Sequence, residues 1–220
     1  MPIQFSCAIT LVTLKPFKSA AYNEAAKISI FSKDLPELGY DQMASLVADM
    51  GFDGIDLTVR PGGHVLPENV ARDLPNAIKA AKQKGLNIYM ITTDIWEADD
   101  PFTEPILKTA ASLGIQYYRM GRRFYDEKKS IANNLETFKT AFKKLAKLNQ
   151  KYHIRGECQN HSGGGFGAPL WDILEVIKNM DSLWTGVQCD LFHATVEGAN
   201  SWPIGFDLLK PFIGTIERGG

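Results

Sequence analysis

Two short segments concentrate the side chains able to do chemistry. GECQNHSGGGFG (156–167) brings Glu157, Gln159 and His161 together. QCDLFHA (188–194) sets Asp190 and His193 on either side of a two-residue spacer. Carboxylate oxygens with an imidazole nitrogen suit Mn, Zn, Fe or Co better than Ca. Such a metal, held against the carbonyl and adjacent hydroxyl of a sugar, would polarise the carbonyl. It would also stabilise the enediolate left by proton abstraction. A base within hydrogen-bond reach completes that chemistry. Each residue also has a plainer reading. Asp190 can cap a turn or helix, His193 can bond to loop backbone, and His161 can stabilise the glycine-rich turn.

Other candidates are more scattered. Arg60 and Arg119 either bind an anionic or polyhydroxyl substrate or form ion pairs inside the fold. His64, between Gly63 and Val65, is either a substrate contact or a loop histidine. Glu157 either acts as an acid or base or pairs with a basic neighbour such as Arg155, because a lone buried carboxylate is costly. Trp96 and Trp202 either form an apolar wall against a sugar face or cover a rim. Trp171 and Trp184 are expected in the core.

These residues need elements to position them, and the chain supplies a regular alternation. Strands are expected at 27–32, 53–59, 86–92, 115–120, 153–159, 183–190 and 212–216. Helices are expected across the Met43–Met50 stripe and at 70–84, 101–114, 130–152, 169–180 and 204–211, from apolar residues spaced three and four apart. Gly51, Gly85 and Gly114 mark helix ends before the next strand. Alternating strands and helices mean βαβ units and a parallel sheet. No GxGxxG follows the first strand, and no phosphate-loop motif occurs. Polar residues instead collect after several different strands, which is how a closed α/β barrel assembles a site at its C-terminal face. An open doubly wound sheet would gather them at one crevice.

Composition narrows the remaining classes. The 220 residues are 45% hydrophobic and carry a net charge of −1, so the chain is neither disordered nor broadly basic. No nucleic-acid partner is expected, and no membrane association: the apolar run near the N-terminus is too short to span a bilayer. Three cysteines without a CxxC pair give no disulfide framework or zinc ribbon. Residues 1–26 read as an N-terminal extension or atypical leader, and 27–220 as the barrel domain. A cytoplasmic location follows, or a periplasmic one if the extension is a leader.

At GFDGIDLTVRPGGHV, NHSGGGFGAPLWDI and GVQCDLFHA the chain resembles the xylose-isomerase-like TIM-barrel superfamily of sugar phosphate isomerases and epimerases. The resemblance runs from about Lys27 to Ile216. It implies a TIM (β/α)8-type barrel, a divalent metal (Mn, Zn, Co, Fe or Mg), and a sugar or sugar derivative as small-molecule substrate. It makes Asp190 a metal ligand, His193 and His161 contacts to substrate or metal, and His64 a polar loop position.

Two departures from the family pattern stand out. Gln159 occupies a position where a metal-binding glutamate is usual. The family's further histidine and glutamate ligands come from its last two strands, whereas here FIGTIERGG ends the sequence and offers Glu217 alone. About seven strands are recognisable, so the barrel is expected to be incomplete at its C-terminus. A truncated product, the N-terminal extension or a partner chain would account for the gap, and exposed edges leave a homo-oligomer open. The resulting expectation is metal-assisted isomerisation or epimerisation by proton abstraction next to a carbonyl. Asp190 and Gln159 would hold the metal. Glu157, His161 and His193 would be catalytic, and Arg60, His64, Trp96, Arg119 and Trp202 would bind substrate. The alternative is a non-catalytic carbohydrate-binding or structural homologue.

Overall fold

The computed structural model describes residues 9–12 and 26–218. Seven strands run parallel: β2 (Lys27–Phe31), β3 (Gly54–Val59), β4 (Asn87–Thr93), β5 (Tyr117–Arg119), β6 (Arg155–Gln159), β7 (Thr185–Asp190) and β8 (Ile213–Arg218). This is the expected α/β barrel with an incomplete parallel sheet. The gap between β8 and β2 is filled from the other end of the chain. Strand β1 (Ile9–Val12) pairs antiparallel with β2 and with β8, closing the ring. Thr10 Oγ1 donates to Asp56 Oδ2 at 3.4 Å inside it. Ile9–Val12 therefore belongs to the barrel, although the sequence reading placed it in the extension. The rest of that extension, with its leader reading, lies outside the described residues.

Helices α1 (Tyr40–Asp49), α2 (Val70–Gln83), α3 (Thr103–Ser112), α4 (Ile131–Tyr152) and α5 (Leu170–Ile177) fall where the apolar stripes place them. Gly51, Gly85 and Gly114 follow their helices at φ of 79°, 75° and 86°, a region open to glycine and strained for other residues. In α4, the Ser130 side chain caps the N-terminus by accepting from Asn133 N at 3.2 Å. Phe138, Phe142 and Leu145 form its buried stripe. Two further helices follow β7: α6 (Leu191–Gly198), which the sequence reading missed, and α7 (Trp202–Leu209).

Strand pleating separates two environments. Ile55, Leu57 and Val59 of β3 point toward the helices, as do Cys158 of β6 and Val187 and Cys189 of β7, and these join the apolar core. The opposite face fills the barrel with polar groups. Asp56, Thr92, Glu157, Gln188 and Thr215 are all fully buried there. Arg155 Nε lies 3.1 Å from Glu157 Oε1, and Thr215 Oγ1 donates to Glu157 Oε2 at 2.6 Å. Arg155 also donates to the carbonyl of Phe212. Glycines on the neighbouring strands make room for this pair. A Cβ on Gly186 would overlap the Arg155 guanidinium, and one on Gly214 would overlap Glu157 Oε1.

Candidate active site at the C-terminal face of the barrel

A cavity of about 740 Å³ opens at the C-terminal ends of the parallel strands. Phe31 ends β2, Arg60 follows β3, and Asp94 follows β4. Arg119 and Arg122 come from β5 and its loop, and Gln159 and His161 from β6. Asp190, His193 and Glu217 complete the lining from β7, α6 and β8. Seven different strand ends thus contribute, as the scattered polar residues predict.

The floor is a carboxylate pair. Parallel register places Asp190 beside Glu217 on adjacent strands. Gln159 Nε2 donates to both, to Asp190 Oδ2 at 3.2 Å and to Glu217 Oε2 at 2.5 Å. Arg119 Nη1 reaches Glu217 Oε2 at 3.3 Å, with the guanidinium carbon 4.6 Å from the Phe31 ring centroid. Burial raises the Glu217 carboxyl to about 7, opposed by Arg119 and reinforced by the charges of Asp56 and Asp190. Asp190 is also the N-cap of α6, accepting from His193 N at 3.0 Å through Oδ1. Its backbone is clamped by Asn160, which accepts from Asp190 N at 2.8 Å and donates to Asp190 O at 2.9 Å. The capping and cavity-facing readings of Asp190 therefore both hold.

His161 and His193 stack with ring centroids 3.7 Å apart. His193 Nδ1 meets Ser162 Oγ at 2.8 Å, and His161 Nδ1–H donates to the carbonyl of Ser162 at 2.9 Å, which places the ring proton on that nitrogen. Burial holds both imidazoles below their ordinary value, with Arg122 acting in the same direction. Neutral rings are what such close stacking requires.

Other expected site residues lie elsewhere. Glu157 is below the cavity, within the barrel, and pairs with Arg155. This placement matches the ion-pair alternative. His64 is tied at both ring nitrogens, to Thr58 Oγ1 and to the carbonyl of Leu35, each at 3.1 Å. It fixes the loop after β3 and does not line the cavity. Trp96 is 5% exposed, packs edge-on against Phe138, Phe142 and Phe166, and does not line the main cavity. Trp202 begins α7 and lines a smaller groove of about 110 Å³ with Trp171, apart from the main cavity. Trp171, expected in the core, is 55% exposed. Arg60, Arg119, Gln159, His161, Asp190 and His193 do converge. Glu217, Phe31 and Arg122 join them, residues beyond those the sequence pattern points to. Glu217 had a readable signal, because it shares the inward face of its strand with Thr215, two residues earlier.

The residues present do not fit a divalent metal. Among the described residues no group of three or more His, Cys, Asp and Glu side chains is arranged to hold one. The two carboxylates that face each other are bridged by an amide N–H, and Glu217 already has a guanidinium partner. No helix among the described residues is long and apolar enough to cross a membrane.

Comparison with known proteins agrees with this architecture. Residues 44–216 match the model of the xylose isomerase-like TIM barrel family, and the chain belongs to that family. No curated protein matches. Among solved structures, the chain is similar to 3-keto-D-glucoside 4-epimerase YcjR from E. coli, at 14% identity and a TM-score of 0.62, covering 81% of this chain and 73% of that one. A D-tagatose 3-epimerase-like protein gives 16% identity and 0.63, with 83% and 71% covered. D-psicose 3-epimerase from Clostridium cellulolyticum H10 gives 14% and 0.57, with 80% and 66% covered. At these identities the likeness is one of fold.

Proposed function

We propose that the protein isomerises or epimerises a sugar or sugar derivative by moving a proton at a carbon next to a carbonyl. The observation that carries this reading is the Asp190–Glu217 pair. Two carboxylates sit side by side on the floor of an open polar cavity, held by one shared donor, Gln159. Among the described residues, Gln159 and Arg119 both engage Glu217 through Oε2, and in this reading Oε1 meets the ligand. A carboxylate with a proton affinity near neutrality is matched to general base work. In this reading Glu217 removes the proton and Asp190, on the adjacent strand, assists its return. His161 and His193, as neutral rings, hydrogen-bond the hydroxyl groups of the sugar. The family and the epimerases of similar fold support the substrate class.

The test is interconversion. Purified protein incubated with ketoses, aldoses and keto-glycosides, followed by NMR, is expected to convert at least one sugar into an isomer, and Asp190→Asn to slow that conversion. Retention of tight sugar binding with no conversion of any member would favour the non-catalytic alternative.

A further inference from the structure

Among the described residues no donor set fits a metal, and the cavity instead holds a cation built from the chain itself. Arg119 is 8% exposed, yet it lines the cavity. Its guanidinium is fixed on two sides, by Glu217 Oε2 at 3.3 Å and by the Phe31 ring at 4.6 Å. Guanidinium stacking over an aromatic face gains strength when desolvated. A guanidinium also stays charged throughout the ordinary pH range. The Gln159 amide lies between Asp190 and Glu217, and its Nε2 donates to both carboxylates. A carboxylate at position 159 would instead put three like charges together and call for a bound cation.

We propose that Arg119 is a catalytic residue that takes the place of a divalent metal, stabilising the oxyanion of the intermediate with its N–H donors. This rests on the proton-transfer reading above. The step balances within the site. The C–H bond next to the carbonyl breaks, its proton passes to the Glu217 carboxylate, and its electron pair forms the C=C bond of an enediol(ate). The carbonyl oxygen gains negative charge and is held by Arg119. Return of the proton to the same or the neighbouring carbon restores the carbonyl. Preorganised donors aimed at developing charge are an effective form of catalysis.

The test is calorimetric titration of the whole protein with Mn²⁺, Zn²⁺ and Co²⁺ after chelator treatment. Wild type is expected to show no stoichiometric binding up to millimolar metal. The double variant R119M/Q159E, which removes the guanidinium and restores a third carboxylate, is expected to bind at least about tenfold more tightly than wild type. Circular dichroism checks that it folds, and Gln159→Glu alone serves as a second variant, expected to gain affinity less. Stoichiometric wild-type binding at micromolar metal would overturn the proposal. This readout needs no turnover, so an inactive protein would count against the sugar isomerase reading and leave the metal result intact. Once a substrate is in hand, chelator is expected to leave the rate unchanged. Arg119→Met should lower kcat by about 100-fold or more, with part of the loss recovered in Arg119→Lys. Full activity in Arg119→Met would equally contradict the assignment.

Discussion

The Arg119 guanidinium and the Glu217 carboxylate meet across the barrel mouth, Nη1 to Oε2 at 3.3 Å, although 98 positions separate them in sequence. Arg119 ends the short strand β5, and Glu217 lies near the end of β8. Their meeting ties opposite sides of the barrel together and sets the charge of the cavity floor.

If Glu217 is the base, replacing it removes proton transfer while leaving the shape of the site. Glu217→Gln is expected to lower kcat/KM by about 10²- to 10⁴-fold. In wild type kcat/KM should rise with pH through about 7, where the carboxylate forms. Steady-state kinetics across pH checks both.

The same carboxyl links pH to stability. Its ordinary value is 4.5, and in the folded protein it titrates near 7. Between these values the folded state holds a proton that the unfolded chain has released. Its contribution to stability is complete below about 4.5 and is lost as pH rises through about 7. The full effect is at most about 3 kcal/mol. Denaturant unfolding at several pH values should show a steeper fall over that window in wild type than in Glu217→Gln. Parallel curves would contradict the assignment.

The interior ion pair is expected to be sensitive to its surroundings. Arg155→Met leaves Glu157 buried beside Thr215 without its cation, and should cost about 3–5 kcal/mol. Gly214→Ala should also destabilise, because its methyl group overlaps Glu157 Oε1. Urea denaturation midpoints measure both.

Trp96 supplies a contrast between core and site. Trp96→Ala should cost about 3–5 kcal/mol, since the indole fills a space bounded by three phenylalanine rings. Ligand affinity of the folded variant should change little. Thermal unfolding and ligand titration of the same sample separate the two effects.

The parallel strands and their helices were legible because the apolar period changes cleanly between them. The stripe of α4, ending before His153, is one example. The C-terminal location of Asp190 and His193 followed from strand ends alone. Strand β1 was not legible: four residues carry almost no periodic signal, and their antiparallel pairing depends on two strands distant in sequence. Helix α6 is hard to read because its eight residues bury only Ala194 and so carry no apolar stripe. Trp96 shows that a loop position says nothing about whether its side chain turns inward. Glu157 shows the same limit: an inward-facing carboxylate can sit at the mouth or one layer lower, and only the register with Gly186 and Gly214 decides.

Hydrogen exchange at the substrate carbon tests proton transfer most directly. Sugars from the interconversion panel are incubated with protein in D2O and followed by ¹H NMR. The account predicts loss of the signal from the C–H next to the carbonyl with wild type, and none beyond background with Glu217→Gln. Exchange that persists undiminished in Glu217→Gln, or sugar turnover without any deuterium uptake, would contradict it.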